Sequence, residues 1–302
     1  MMFVDLPQDV KSEIILKSTK KHGCTRIQNL DFQEASELEA YLQNFPLQFQ
    51  DYRFGQSPRT KKSSSVYTTT EYPAKALIPP HHELSYSSHP PRFLFFYCQK
   101  PASEGGETTL VDGVEFYQIL RTDSLFDPIF KYGLQYQKTM PSKENANTVI
   151  GFGKSWQEHF ETEDKAEVEF YLNTNDIQWK WLSDGQLQTR NHRSATRVHP
   201  DSKERIWFSQ PTLWHLSCFG AKGRFLISRL PIERYPVHIR LGNGDELNPK
   251  LLQRLQTLEQ ESATPYSWSK GELLVVDNWR FAHGRMPFSG ERVHWIAMGD
   301  WN

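Results

Sequence analysis

Cysteine is scarce and dispersed. The three in this chain of 302 residues, Cys24, Cys98 and Cys218, form no C-x-x-C pair, which argues against a zinc ribbon and against a disulfide framework. A reducing compartment is the simpler setting, so a cytoplasmic protein is expected. No apolar run approaches the ~18 residues needed to cross a bilayer, and the opening Met1-Met2-Phe3-Val4-Asp5-Leu6-Pro7 turns acidic and polar too early for a secretory signal. Charge of one sign is missing too: 35 basic against 36 acidic residues leave a net charge of −1, and the basic ones gather into no long run. Neither nucleic acid nor an anionic membrane is called for as a partner. No repeat and no low-complexity linker divides the chain, so a single domain over 1–302 is expected, with enough chain to bury a sizeable core.

Aromatic residues are abundant, 13% of the chain with nine tryptophans, and large aromatics suit pleated surfaces and pocket walls. Strand signals fall at 25–27, 66–73, 92–98 and 108–112, and again at 273–278 and 293–298. The run Arg92 to Cys98, bounded by prolines, has the length and apolarity of a fully buried strand. Helical periodicity marks the segment from Val10 to Leu16, ahead of a basic turn at Lys20-Lys21-His22-Gly23, and the stretch Asp31 to Phe45 with Asp31 as N-cap. It recurs at 114–121 and 163–171 and is clearest over Pro249 to Glu261, where Leu251, Leu252, Leu255 and Leu258 share a face. Asp51 to Ser65 reads as a polar, basic loop, and Leu241 to Asp245 as a turn. Between about 125 and 220 short strand-like stretches alternate with polar loops. The pattern predicts a mainly β fold with flanking helices, a sandwich or jelly roll.

One spacing carries chemistry. On an extended segment His81 and Glu83 point to the same side, because side chains alternate with period 2, so the pair can share an ion. A second histidine from a distant strand would complete a face of two imidazoles and one carboxylate that leaves half of an octahedral iron open. Alone the triplet is a weak signal: among eleven histidines, one falling two residues before an acid is expected by chance, on a surface turn.

The surrounding stretches change that reading. Val66 to Ala74, His81-His82-Glu83-Leu84-Ser85-Tyr86, Phe95 to Cys98, Gly105-Gly106-Glu107-Thr108, Asp277-Asn278, His283-Gly284-Arg285 with Pro287-Phe288, and Gly290-Glu291-Arg292 come in order and spacing that resemble the taurine-dioxygenase-like Fe(II)/2-oxoglutarate-dependent oxygenases. The likeness spans roughly residues 20 to 300 and is strongest to the branch near clavaminate synthase and the amino-acid hydroxylases of peptide-antibiotic pathways. It implies a double-stranded β-helix, the cupin-like jelly roll, with a large insertion at about 120–220 that separates the ligand-bearing halves. It implies His81, Glu83 and His283 as ligands of Fe(II), and Thr108 and Arg292 as the residues that hold the far carboxylate of 2-oxoglutarate. O2 would be the second cosubstrate, and the partner a small molecule: an amino acid, a carrier-tethered amino acid or another natural-product intermediate. Because halogenating relatives replace the carboxylate by a small residue, an intact Glu83 implies hydroxylation or a related oxidation. A planar guanidinium fork at Arg292 suits a carboxylate better than a lysine would.

Other residues keep two readings. Arg285 can meet 2-oxoglutarate, meet the substrate, or pair with Asp277. His82, facing away from His81, is expected to support or pack rather than ligate; the family often has asparagine there. His89 and His294 are expected to be ordinary polar residues. Arg190, Arg193 and Arg197 can meet a substrate carboxylate or sit on a solvated loop, and the latter is the expectation. Phe208-Ser209-Gln210 stands where relatives carry Phe-Asn-Gln on the substrate side. Two other functions are weighed: a catalytically silent jelly roll that binds a metabolite, and a zinc hydrolase, which would need neither Arg292 nor Thr108.

Overall fold

The computed structural model describes residues 3–51, 59–145 and 154–301. The apolar run around Phe95 becomes the strand Phe93–Lys100, in the middle of a sheet that has seven strands among the described residues. Glu272–Asp277 lies on one side and Val293–Asp300 on the other; Cys24–Ile27 and Val4–Leu6 extend the sheet past Glu272–Asp277. Both faces of the central strand are covered, which is why its sequence reads as an unbroken apolar run. Phe93, Phe95 and Tyr97 pack with Leu273, Val275 and Trp295 against the helices Ser12–His22 and Ala35–Leu42. Leu94 and Phe96, with Leu274 and Ile296, face the other way and meet Leu110, Tyr266 and Phe281. Complete burial of Phe93 and Phe95 stabilises by about 1.5–3 kcal/mol each.

Leu110, Tyr266 and Phe281 belong to a second sheet, ordered Thr264–Tyr266, Thr108–Asp112, Phe281–Arg285, Ile78–His81. The two sheets thus share a core layer. A third sheet comes from the middle of the chain, in the order Gln178–Trp181, Leu187–Arg193, Leu134–Met140, Val237–Leu241. On Leu134–Met140 the side chains alternate. Gln137 and Thr139 bond the carbonyls of Ile232 and Glu233, which leaves Tyr136, Lys138 and Met140 for the opposite face.

Several local expectations are corrected. The helix expected from Asp31 covers only Ala35–Leu42, and its N-cap is Glu34, which forms a reciprocal capping box with Glu37 and so satisfies N–H groups that Asp31 would have had to reach. The segment opening at Val10 continues through the expected basic turn as Ser12–His22. Lys20, Lys21 and His22 sit in its last turn, where cations suit the negative end of the helix, and Gly23 ends it at φ 87°. Within 66–73, where a strand followed by a turn is expected, the strand is Tyr67–Thr68, and the helix expected over 163–171 runs Lys165–Thr174. Pro249–Glu261 forms as expected, with Asn248 accepting from the Lys250 N–H and proline in the first turn. Of the expected loop at 51–65, residues 52–58 lie outside the described residues, as do 146–153 of the expected insertion. Among the described residues no helix is long and apolar enough to cross a membrane.

Candidate metal centre and anion site

The strands Ile78–His81 and Phe281–Arg285 are antiparallel neighbours, and their register sets His81 opposite His283. The two rings stand 4.4 Å apart between centroids. The strands come this close because position 284 has no side chain: a Cβ there would lie 2.5 Å from the Ile78 carbonyl oxygen and from Thr109 Oγ1. Glu83 departs from the simple extended picture, since the strand ends at His81 and the glutamate sits in the turn that follows. Leu84 adopts φ 53° in that turn, a left-handed conformation that costs a leucine about 1–3 kcal/mol. Asn278 fixes the turn. Its Oδ1 accepts from the Glu83 N–H at 2.7 Å, and its Nδ2 donates to the carbonyls of Glu83 at 3.1 Å and Pro91 at 2.8 Å. The ligating atoms of His81, Glu83 and His283 all lie within 4.8 Å of one another, and all three residues are buried.

Burial sets the protonation. It holds the His81 imidazole below its ordinary value, and His283 falls well below, helped by the nearby His81 and Arg59. Both rings are therefore neutral near pH 7 and keep a lone pair for a metal. The Pro79 carbonyl, 2.9 Å from His81 Nδ1, accepts a hydrogen bond from Nδ1–H, which leaves Nε2 with the lone pair for a metal. Two neutral imidazoles and a carboxylate suit a first-row divalent ion such as Fe(II). Arg59, from the stretch that reads only as a basic loop, reaches in and places Nη2 2.6 Å from Glu83 Oε2. His82 lies behind, with Nδ1 2.6 Å from the Asn278 carbonyl and its ring on Phe208 at 4.6 Å. Burial lowers its value to about 4, consistent with a supporting role.

Beside the histidines, Thr69, Thr108, Arg285 and Arg292 line a cleft together with His81 and His283. Arg292 is lowered to about 10 by burial and by Arg285, so it remains a cation at neutral pH. Its Nε donates to the Gly106 carbonyl at 3.3 Å and its Nη1 to Thr69 Oγ1 at 3.3 Å. Thr108 Oγ1 accepts from Trp268 Nε1 at 2.9 Å, which leaves its own proton to donate. Arg285 does not pair with Asp277, which is taken by Arg92 at 2.7 Å and His199 at 3.1 Å. It donates instead to the carbonyls of Tyr72, Pro73 and Ala76. Among the described residues neither Arg285 nor Arg292 has a carboxylate partner. Two guanidinium groups without a counter-ion in one cleft make an anion site.

Elsewhere the structure revises the surface readings. Arg190, Arg193 and Arg197 stand on strands, not on a solvated loop. Arg193 donates to the Tyr86 carbonyl at 3.2 Å and Arg197 to that of Ser87 at 2.8 Å, clamping the segment that follows Glu83. Arg197 also stacks over Phe208 and Trp279. His89 is exposed, as expected of an ordinary polar residue, but His294 is buried edge-on to Trp268 because it falls on the inward face of Val293–Asp300. Ser209 and Gln210 contact the Tyr136 hydroxyl. Asn278, within the Asp277-Asn278 motif, and Arg59 are the site residues whose part the sequence alone does not reveal.

The model of the taurine catabolism dioxygenase TauD, TfdA family matches residues 4–298, and the chain belongs to this family of Fe(II)- and 2-oxoglutarate-dependent dioxygenases. It is 32% identical over 269 residues to the dapdiamide synthesis protein DdaC of Enterobacter agglomerans, covering 89% of this chain and 78% of that one. A clavaminate synthase-like protein of Arabidopsis thaliana is 24% identical over 273 residues, with 89% and 79% covered. Among solved structures, PvcB of Pseudomonas aeruginosa superposes with a TM-score of 0.51 at 14% identity over 96% of this chain and 80% of that chain. A taurine dioxygenase from Burkholderia xenovorans gives 0.51 at 12% identity over 98% and 88%. At such identities these two likenesses are ones of fold. The mixed α/β arrangement described above is theirs.

Proposed function

We propose that His81, Glu83 and His283 hold Fe(II), that Arg292 with Thr108 and Arg285 receives the far carboxylate of 2-oxoglutarate, and that the enzyme hydroxylates an unactivated C–H of a small substrate. The observation that carries this reading is the juxtaposition of the buried three-residue cluster with a cleft in which Arg59 is paired with Glu83 while Arg285 and Arg292 have no carboxylate partner among the described residues. Iron bound with the keto acid and oxygen supplies the oxidising power, and 2-oxoglutarate leaves as succinate and carbon dioxide. The protein's own contribution is placement. Arg292 offers a planar fork to a carboxylate, the Thr108 hydroxyl has a proton to give, and Arg285 adds positive potential while its carbonyl partners fix its position. Neutral imidazoles keep the net charge of the centre small. Phe96 against the His283 ring keeps water away on that side.

Intact Glu83 supports hydroxylation over halogenation. Two packed sheets, one bearing both histidines, support the jelly roll, and strands that run from Val4 to Asp300 within one sheet support a single domain over 1–302 with the insertion at about 120–220. An amino acid or natural-product intermediate is the substrate class; a relative named for dapdiamide synthesis supports a biosynthetic setting. Unpaired cysteines support a cytoplasmic one. Anaerobic titration with Fe(II) and 2-oxoglutarate tests the reading. A weak visible charge-transfer band should appear in the wild type, need far more 2-oxoglutarate in Arg292→Ala, and vanish in His81→Ala. Metal binding without any such band would leave a metabolite-binding protein instead.

A further inference from the structure

A cavity of about 350 Å³ opens directly after Glu83, at Leu84 and Tyr86, and is built largely from the middle of the chain. Its floor is the inward face of the third sheet. Tyr136, Lys138 and Met140 come from one strand, and the neighbouring strand sets Thr189 opposite Lys138 and Asn191 opposite Tyr136. The walls mix aromatic and aliphatic side chains, Tyr86, Trp214 and Tyr171 among them, with polar ones, and the Asp51 carboxylate in the lining is engaged by Lys61 at 2.7 Å. In such a setting the polar groups dictate what binds.

Lys138 is the unusual one. It is only 8% exposed, and among the described residues no carboxylate pairs with it. It meets a neutral polar group instead: Nζ stands 3.2 Å from Nδ1 of His159, on the helix Trp156–Phe160. Burial and the nearby Lys154 depress Lys138 to about 7, and burial with both lysines holds His159 well below its ordinary value. A buried ammonium offers three N–H groups, and His159 takes one. Diagonally across the floor Asn191 Oδ1 is buried with no partner, while its Nδ2 is spent on the Tyr86 carbonyl. A lysine short of an anion and an amide oxygen short of a donor therefore share one cavity face, at the ~7–8 Å separation of diagonal sheet neighbours.

We infer that Lys138, backed by His159, binds the carboxylate of an amide- or amine-bearing carboxylic acid, whose N–H is taken by Asn191 Oδ1. The inference rests on the oxygenase reading for its meaning, since it names the class of substrate presented to the metal centre. It gives the substrate a direction: the acid end lies on the sheet floor, and the remainder extends along the aromatic walls toward Leu84.

Equilibrium binding of three probes tests it, N-acetyl-L-alanine, N-acetyl-L-leucine and N-acetyl-L-phenylalanine, each against its own primary amide, in the absence of 2-oxoglutarate. The wild type should prefer at least one acid over its amide by roughly ten- to a hundredfold, the range of a charge-assisted hydrogen bond. Lys138→Met and Lys138→Gln should bring the ratio to about one while keeping wild-type unfolding temperatures and the Fe(II)/2-oxoglutarate absorption band. Two variants are used so that loss of folding in one leaves the other to decide. Equal binding of acid and amide by the wild type for all three pairs would overturn the inference, as would an acid preference that survives either folded variant. The absorption band separates the two readings. Preference lost with the band intact confirms Lys138; preference present without a band leaves the acid site standing and removes the oxygenase.

Discussion

Asn278→Ala is expected to destabilise the fold and slacken Glu83 together, by an amount the hydrogen bonds set. The carboxamide is completely buried and makes three bonds, two of them to the backbone of Glu83. Each bond contributes about 1 kcal/mol net, and each backbone group stranded without water costs about 1–3 kcal/mol. Some stranded groups find water in the space that is left, so a loss of about 3–5 kcal/mol is expected on urea unfolding followed by tryptophan fluorescence. The same bonds hold the turn that aims the glutamate. Groups that orient a ligand typically carry about 10–100-fold in metal affinity, and calorimetric titration with Mn(II), which needs no protection from oxygen, should show a loss in that range. Asn278→Asp sharpens the test. It keeps an acceptor for the Glu83 N–H but turns an oxygen toward two carbonyls, so it should recover little of either loss. A destabilisation below about 1 kcal/mol with unchanged Mn(II) affinity would refute the claim that this side chain fixes the carboxylate.

Two more outcomes follow from packing and titration. Gly284→Ala inserts a methyl group where Ile78 O and Thr109 Oγ1 stand 2.5 Å away, so the paired strands must separate; Mn(II) affinity should drop at least about tenfold, and retention of wild-type affinity would show that the close approach is dispensable. Glu259, buried on Pro249–Glu261, is pushed up to about 8 by burial from an ordinary 4.5. Between those values the unfolded chain has released a proton that the folded chain still holds, so stability falls as pH rises through the window. Glu259→Gln should flatten that fall, matching the wild type near pH 4.5 and exceeding it near pH 8; urea midpoints at both ends decide, and an unchanged slope contradicts the assignment.

Legibility in the sequence followed burial. Phe93–Lys100 was readable because both of its faces are covered, and Pro249–Glu261 because its cap, its proline and its leucine stripe agree. Asp31 misled because an N-cap is chosen by which carboxylate can reach the first N–H groups, and Glu34 with Glu37 does so reciprocally. The three residues of the buried cluster, His81, Glu83 and His283, were readable through motif order. Arg59 was not, since nothing in a polar stretch tells which basic side chain turns inward. Lys138 left one trace, an alternation of Tyr136, Lys138 and Met140, but that pattern cannot distinguish a solvent face from a cavity face until the partner strands are known. His294 and the arginines of 190–197 show the same ambiguity: strand residues of polar type read as surface until a sheet covers them.

Leu84 to Ser87 is the seam between two constructions. Upstream it is bonded to Glu83, and downstream Arg193, on the third sheet, and Arg197, on the neighbouring strand Thr196–Val198, hold its carbonyls. Leu84 and Tyr86 also line the cavity. The cavity wall at Tyr86 and the carboxylate of Glu83 thus stand on one short run of backbone, with a leucine held at positive φ between them. Chamber and carboxylate are therefore joined by covalent bonds and not through a chain of loosely packed intermediaries.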